Sequence, residues 1–354
     1  MKEYNRLIKH WIVRMTCIVL LLCLLAGCGS RGTDSAIGPV PLDIGAWEFC
    51  AANYKQFASY IKLGMDDGEL YMWNGRECTL SQFENGAFRK VCRIDGGWIG
   101  IFDGYFYYEA AVKGEEYTYS VSSYHLETGE HRSLTTVGIY SIMDTFFTED
   151  GKLYVPADGD RTSYKVIGES EYLEEVRQYE TYTIGEYSYV LEGKREQADL
   201  IRYDAEGNRY SLEDEVPYGE KSMIPCENGL LIHNETNGDF LYFVEAETGN
   251  VVELFTVECI YARSAVNVHD GYAYLSFVRY TEWGPLGIGG KRDETDELNG
   301  TYRISLEDYS VEKISDEIYN GLYIFDDTGI YACNADYQVF KLDFDGYVTA
   351  QLTQ

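Results

Sequence analysis

The sequence predicts an all-β fold built from a repeated four-stranded unit. Three observations support this prediction: turn pairs that end in glycine recur, strands rich in aromatic and β-branched residues follow them, and their spacing is near-regular. Asp-Gly and Asn-Gly favour tight hairpin turns because these residues tolerate positive φ values. Aromatic and β-branched side chains favour the strands that come next.

A first set of turns opens six units. Their glycines are Gly68, Gly104, Gly151, Gly229, Gly271 and Gly329. They lie about 52 residues apart on average, which is close to the length of a β-propeller blade. A second set, such as Asn85-Gly86 and Thr248-Gly249, follows the third strand of most units, and Asp308-Tyr309-Ser310 takes this place in the fifth. Each unit therefore predicts four antiparallel strands, A to D, with tight A–B and C–D turns.

Six units predict a six-bladed β-propeller over residues 45–354, because ring closure protects strand edges. A seven-bladed ring is the alternative, with its extra blade between Gly151 and Gly229 or within residues 40–65. Residues 169–179 look more like a short amphipathic helix or an extended hairpin than a blade, which favours six. We expect residues 40–65 to supply the innermost strand of the first blade. If no strand is exchanged between the two ends, ring closure would rest on side-chain packing, with Cys50 as a further candidate contact.

The N-terminal 28 residues have the pattern of an export signal. Four basic residues precede the apolar run 15–25, and small residues and a cysteine follow in Leu25-Ala26-Gly27-Cys28. The apolar run is too short for a transmembrane helix. We predict a signal peptide at residues 1–27 and a flexible, small and polar tether at residues 28–44. An ordinary signal peptide cut nearby, or an uncleaved anchor, is the competing interpretation.

Two parts of the chain resemble known families. Leu25-Ala26-Gly27-Cys28 resembles the lipobox of bacterial lipoproteins, which implies a lipid on the Cys28 sulfur, cleavage before Cys28, and anchoring to the outer face of the cytoplasmic membrane. The repeat resembles the TolB-like six-bladed propellers, particularly the tyrosine-rich propeller lipoproteins of Firmicutes. This second resemblance covers roughly residues 45–354 and concerns the fold more than the function.

The charge of the chain excludes nucleic acid as a partner. It has 59 acidic and 29 basic residues, for a formal net charge of −30. Such a surface repels phosphate backbones and anionic lipid headgroups. We therefore expect a monomer that meets the membrane through the Cys28 lipid rather than through a basic patch.

Six cysteines remain outside the signal peptide and the lipobox: Cys50, Cys78, Cys92, Cys226, Cys259 and Cys333. They have neither C-x-x-C spacing nor histidines at zinc-finger spacing, so we predict no metal site and no cofactor. Cys78 and Cys92 flank the Asn85-Gly86 turn, where a disulfide across the hairpin is one expectation. Buried free thiols are the favoured expectation.

Two insertions, at residues 158–197 and 279–299, are predicted to extend from the same rim, where loop-borne function belongs. The candidate ligand-binding residues are Tyr172, Tyr179 and Tyr182 in the first, and Trp283, Asp293 and Asp296 in the second. Aromatic faces beside carboxylates suit sugar rings or cationic peptides. The competing interpretation is structural, since the chain has 33 tyrosines and most must belong to blades.

The favoured function is a non-catalytic binding module for a protein, peptide or glycan at the cell envelope. The sequence lacks the G-x-S-x-G and H-E-x-x-H motifs, so an enzyme is the less favoured interpretation. A glycoside hydrolase, lyase or lactonase would need Asp, Glu, His or Asn at the starts of the A strands, and those starts are largely apolar, as at Gly96-Gly97-Trp98-Ile99. A structural accessory of an envelope complex is the third hypothesis.

Overall fold

A computed structural model gives the structure of the chain. It describes residues 61–115, 118–138, 146–147, 153–156, 164–166, 172–173, 181–192, 199–212, 221–234, 239–257, 262–283, 290–293 and 295–353. Every helix or strand element within these ranges is a β-strand, which confirms the predicted all-β class. The signal peptide, the tether, Cys28, Cys50, Tyr179 and Cys259 lie outside the described residues.

The strands form seven antiparallel sheets, which follow one another in chain order. The first sheet contains β1 (Ile61–Asp66), β2 (Glu69–Asn74), β3 (Thr79–Glu84) and β4 (Ala87–Arg93). The second contains β5 (Gly97–Phe102), β6 (Tyr105–Ala111), β7 (Thr118–His125) and β8 (His131–Gly138). The third contains β9 (Phe146–Phe147), β10 (Leu153–Pro156), β11 (Tyr164–Val166) and β12 (Tyr172–Leu173). The fourth contains β13 (Thr181–Ile184), β14 (Tyr187–Glu192), β15 (Asp199–Tyr203) and β16 (Arg209–Ser211).

The remaining three sheets continue the pattern. The fifth contains β17 (Lys221–Cys226), β18 (Gly229–Asn234), β19 (Asp239–Glu245) and β20 (Val251–Val257). The sixth contains β21 (Ala262–His269), β22 (Tyr272–Trp283), β23 (Gly290–Arg292), β24 (Gly300–Ser305) and β25 (Val311–Ser315). The seventh contains β26 (Tyr319–Tyr323), β27 (Ile330–Asn334), β28 (Val339–Leu342) and β29 (Val348–Gln351).

Each sheet is an up-and-down meander with the predicted strand order A, B, C, D. All sheets except the sixth have four strands. The sixth follows the same four-strand path, β21-β22-β24-β25, and has β23 as a fifth strand beside β22. The predicted four-stranded antiparallel blade of a β-propeller is therefore confirmed. The predicted A–B and C–D turns lie at one end of the sheets, as at Asp270-Gly271 with φ values of 45° and 74°.

The seven sheets agree with the seven-bladed alternative. The structure thus has one sheet more than the six that the glycine turns predicted. The additional sheet lies in the gap between Gly151 and Gly229, where we expected a single insertion at residues 158–197. Instead this range contains β11 to β14. The A–B turn of the additional sheet is Gly185-Glu186, with the glycine first and at φ 59°, so it lacks the Asp-Gly or Asn-Gly signal.

Burial falls from the inner to the outer strand of a sheet. The inner strand β18 has Leu230, Leu231 and Ile232 fully buried, because neighbouring sheets cover both of its faces. Such strands read as continuous apolar runs instead of alternating patterns. The outer strand β16 is exposed at all three residues. Its polar sequence is therefore compatible with its position at the edge of the ring.

Neighbouring sheets are held together by apolar clusters at their facing surfaces. Trp73 of the first sheet packs with Ile101 and Phe106 of the second, and Tyr189 of the fourth packs with Met223 of the fifth. Further clusters join the fifth sheet to the sixth and the sixth to the seventh. Each sheet thus obtains its core from its neighbours, as in other repeat architectures.

The seventh sheet packs against the first and closes the ring. Their shared cluster contains Leu63 of β1 and Cys333 and Val339 of the seventh sheet. The buried Tyr323 hydroxyl donates to the Ile61 carbonyl at 3.2 Å. No strand is exchanged between these two sheets in the described part of the chain. Closure by side-chain packing, with β1 as the innermost strand of the first sheet, is as predicted.

The thiols of Cys78, Cys92, Cys226 and Cys333 are reduced, so the expected Cys78–Cys92 disulfide does not form. The register is the reason: Cys92 lies opposite Leu80, and the Cys78 carbonyl accepts the Ile94 amide two residues further along. Burial raises the pKa of Cys92 to about 12, which keeps its thiol protonated and poorly reactive.

A cavity at the closing interface should cost more stability than the same change at an exposed site. Leu63→Ala deletes a buried side chain between the first and seventh sheets, and we expect it to lower the free energy of unfolding by about 2–5 kcal/mol. Leu298→Ala, at a 41% exposed residue, should change it by less than about 0.5 kcal/mol. Urea denaturation measures both. Equal, small effects would contradict closure by packing.

Candidate functional site

An open cleft lies between the sixth and seventh sheets, at the end of the ring that carries the glycine turns. Its volume is about 560 Å³. Its lining residues come from turns and strands of both sheets: His269, Asp270, Tyr272, Tyr274, Arg303, Asp327 and Phe344. This volume is within the range of small-ligand sites in proteins. The cleft is on the opposite end from the rim where the sequence placed the ligand.

The sixth sheet supplies one wall of the cleft through the register of β21 and β22. The Asp270-Gly271 turn pairs His269 with Tyr272, and Asn267 with Tyr274 two positions further. The Asn267 amide donates to the Leu322 carbonyl of the seventh sheet at 3.3 Å. Because these residues alternate along the strand, His269 and Tyr272 face the seventh sheet as well.

Arg303 ties the two walls together. Its Nη1 donates to Asp345 and to the Phe344 carbonyl of the seventh sheet, and its Nη2 donates to Glu312 at 2.8 Å. The hydrogen bond to Glu312 is the largest contribution that raises the pKa of Arg303. The guanidinium group also lies 5.4 Å from the centre of the Tyr272 ring. Its charge is therefore matched by two carboxylates within the protein.

His269 lies flat against the opposite wall. Its ring stacks on Phe344, with ring centres 4.4 Å apart and an interplanar angle of 10°. Its Nε2 is 3.5 Å from Oδ1 of Asp327, whose side chain is 98% exposed. Asp270 is exposed in its turn. The cleft thus combines aromatic surfaces with carboxylates that face solvent.

The predicted residues of the sixth-sheet insertion lie in and beside the β22–β23 hairpin. Trp283 ends β22, opposite Gly290. The Asp293 carboxylate accepts the backbone amide and hydroxyl of Thr295. Asp296 accepts the Leu298 amide and the Arg279 guanidinium, both at 2.9 Å. Partial burial opposes ionisation of Asp296, but these two contacts outweigh it and lower its pKa. Asp296 therefore joins the two sides of the loop base through Arg279, whereas the Asp293 carboxylate stabilises only its own turn.

The predicted tyrosines lie on two other sheets. Tyr172 is in β12 of the third sheet, opposite Lys165. Tyr182 is in β13 of the fourth sheet, opposite Tyr189, and packs against the cluster between the fourth and fifth sheets. The described candidates are thus distributed over three sheets. Their role in ligand binding stays a prediction.

A titratable group that the sequence did not single out lies beside the innermost strand of the second sheet. Glu109, in β6, pairs with Gly97 at the start of β5. A Cβ at Gly97 would lie 2.5 Å from Oε1 of Glu109, so the missing side chain makes room for this carboxyl group. Burial raises the pKa of Glu109 to about 7. The sequence signal that could have identified this group is the pair Gly96-Gly97, followed in the next strand by an acidic residue at the paired position.

A serine and a histidine also meet, at the interface of the fifth and sixth sheets. His233 Nε2 and Ser264 Oγ are 2.6 Å apart, and the two residues are 4% and 2% exposed. A serine beside a base can act as a nucleophile, but only where a substrate reaches it. Because both side chains are almost completely buried, we interpret the pair as a structural contact between the two sheets and not as a nucleophile with its base.

The described residues include no group of three or more His, Cys, Asp or Glu side chains placed to hold a metal ion. No helix in the described segments is long and apolar enough to cross a membrane.

Neither a protein-family model nor a curated protein matches this sequence. Several solved structures are similar in fold. Prolyl oligopeptidase B from Galerina marginata matches with a TM-score of 0.52 and 13% identity, over 86% of this chain and 52% of that chain. This likeness concerns the fold alone, and it agrees with a β-propeller.

Two further structures resemble the chain more distantly. The β-propeller domain of the trilobed protease from Pyrococcus furiosus, described as having an open velcro topology, matches with a TM-score of 0.41 and 15% identity, over 81% of this chain and 87% of that domain. The isopeptidase AtxE2 matches with a TM-score of 0.42 and 10% identity, over 77% of this chain and 43% of the isopeptidase. The chain thus spans about half the length of the two larger enzymes.

Glu109 should make folding stability depend on pH. The folded protein keeps this proton up to about pH 7, whereas an unperturbed glutamate loses it near 4.5. The resulting stabilisation is complete below pH 4.5 and is lost as the pH rises through 7. The free energy of unfolding falls by about 3 kcal/mol over this range. Glu109→Gln removes this dependence. In urea denaturation, the stability of the variant relative to the native chain should therefore rise between about pH 4 and pH 8.

Glu115→Gln is the control for this experiment, because Glu115 is exposed in the loop after β6. Its stability relative to the native chain should stay constant over the same range. A constant difference for Glu109→Gln would mean that its carboxyl group is hydrated.

The β22–β23 hairpin should be dispensable for folding. β23 pairs with β22 and lies off the four-strand path of its sheet, and the Asp293 amide donates to the Arg279 carbonyl at 2.9 Å across the base. Replacing residues 281–292 with Asn-Gly should change the free energy of unfolding by less than about 1 kcal/mol, because shortening a closed loop costs little. Loss of the cooperative urea transition would place the hairpin in the core.

Proposed function

We propose that this chain is a lipid-anchored β-propeller on the outer face of a bacterial cytoplasmic membrane, where it binds a protein, peptide or glycan without transforming it. The observation that carries the binding function is the open cleft between the sixth and seventh sheets. Its aromatic rings and exposed carboxylates offer both contact area and charge to a ligand.

The anchor part of the proposal is supported by the lipobox-like sequence Leu25-Ala26-Gly27-Cys28 and the polar tether after it. A single acyl chain binds membranes only marginally, whereas a diacylglycerol group gives two buried chains on one residue. The tether then allows the ring to stand clear of the lipid surface.

The non-catalytic part is supported by the state of the titratable groups. His233 and Ser264 are buried together, and Arg303 is neutralised by Glu312 and Asp345. In the cleft, His269 stacks on Phe344 and lies beside a fully exposed carboxylate. A serine or cysteine nucleophile would need an accessible hydroxyl or thiol beside its base. The described residues that line the cleft include neither serine nor cysteine.

An enzyme of the glycoside hydrolase, lyase or lactonase type is the second candidate, and Glu109 favours it. A carboxyl group with a pKa near 7 beside the innermost strand has the protonation state that general acid catalysis requires. A glycosidase also needs a second carboxylate at a set distance. Hydrolysis of an envelope glycan that is lost in Glu109→Gln would favour this candidate over the binding module.

Anchoring depends on one sulfur atom. Cys28→Ala removes the site of lipid attachment, so we expect the chain to lose the mass of the lipid and, once its signal peptide is cut at another position, to leave the membrane fraction. Fractionation and intact mass measure both effects. Cys78→Ala, which changes a thiol outside the lipobox, is the matched control and should stay membrane-bound. Membrane retention of Cys28→Ala at unchanged mass would contradict the anchor.

A further inference from the structure

We propose that the cleft between the sixth and seventh sheets binds a cationic peptide segment. A lysine or arginine of the peptide would lie between Asp270, Asp327 and the ring of Tyr272, and a neighbouring apolar residue would rest on Val348. This inference rests on the proposed binding function and specifies the ligand of its site.

The charges of the cleft favour a cation. The cationic group of Arg303 is already matched by Glu312 and Asp345, so it adds no net positive charge for a ligand to meet. Asp270 is exposed, and Asp327 has a side chain that is 98% exposed. The contact of Asp327 with His269 carries charge only when the imidazole is protonated. The cleft therefore presents an excess of negative charge, within a chain of net charge −30.

The aromatic surface favours a cation for a second reason. Tyr272 is 39% exposed, which is unusual for a large ring next to a cleft wall. The Arg303 guanidinium already lies 5.4 Å from the centre of this ring. The π-face of a tyrosine attracts ammonium and guanidinium groups at such distances. A neutral sugar would gain contact area here but nothing from the carboxylates.

Two exposed side chains lie at the start of the outer strand of the seventh sheet. Val348 and Tyr347 are 53% and 71% exposed. Val348 pairs with Leu342, whose buried side chain belongs to the cluster between the sixth and seventh sheets. Val348 therefore lies on the side of the sheet that faces the cleft, as Phe344 does. A small amine would leave this surface uncovered, whereas a peptide would cover it.

Binding of short peptides to the full chain, purified in non-ionic detergent, tests this inference. The probe is the fluorescein-labelled peptide Lys-Val-Lys-Gly, amidated at its C-terminus, followed by anisotropy at about 150 mM salt, where long-range attraction is screened. Glu-Val-Glu-Gly is the charge-reversed comparison, cellohexaose is the glycan comparison, and micelles alone are the blank. We expect the lysine peptide to bind and the other two ligands not to bind.

Charge-removing variants locate the site. Asp270→Asn with Asp327→Asn should weaken binding of the lysine peptide at least tenfold, and Tyr272→Leu should weaken it severalfold. Asp103→Asn is the matched control, because Asp103 occupies the same A–B turn position in the second sheet, with φ 49° against 45° for Asp270. It removes the same charge and should change binding less than twofold. Asparagine tolerates this turn conformation, so these variants should fold.

The possible failures are distinct. An equal loss in Asp103→Asn would mean that the peptide binds the acidic surface as a whole, and would overturn the inference. Binding of cellohexaose or of the glutamate peptide alone would overturn the cationic ligand and leave the binding module in place. Release of the native chain from the membrane would contradict the lipid anchor, but it would not bear on peptide binding in the cleft.

Discussion

The structure depends on the packing of the seventh sheet against the first. Each sheet is a thin meander that cannot bury its own apolar residues, so it relies on a neighbour at both faces. The first and last sheets would each lack one neighbour in an open array. Leu63, Cys333 and Val339 meet between them, and the Tyr323 hydroxyl reaches the Ile61 carbonyl. Side-chain packing thus takes the place of a shared strand.

The same construction explains why the candidate site is between sheets. The tight turns of one end are short because glycine or aspartate adopts positive φ there, and short turns leave the grooves between blades open. Between the sixth and seventh sheets, Arg303 joins the walls by donating to Asp345 and to the Phe344 carbonyl of the seventh sheet, while Glu312 of its own sheet accepts from its other amino group. These contacts link the two walls, and His269 and Tyr272 line the cleft between them.

Much of the fold was predictable from local signals. Glycine turns such as Asp67-Gly68 and Asp270-Gly271 marked the hairpins because few residue types adopt two positive φ values in succession. The fourth sheet was not predicted, because its Gly185-Glu186 turn reverses the residue order and its strands are short. The Cys78–Cys92 pairing failed for a similar reason, since a shift of two residues in register separates the thiols.

The sequence by itself determined the repeated four-stranded unit, the acidic charge and the lipobox-like signal, since each is a property of neighbouring residues. The tertiary structure decided the number of sheets and which side chains meet. His269 and Asp327 are far apart in the chain and become neighbours only because two A–B turns lie side by side in the ring. Glu109 depends on tertiary structure in the same way, because its pKa follows from burial over Gly97 and not from its sequence neighbours.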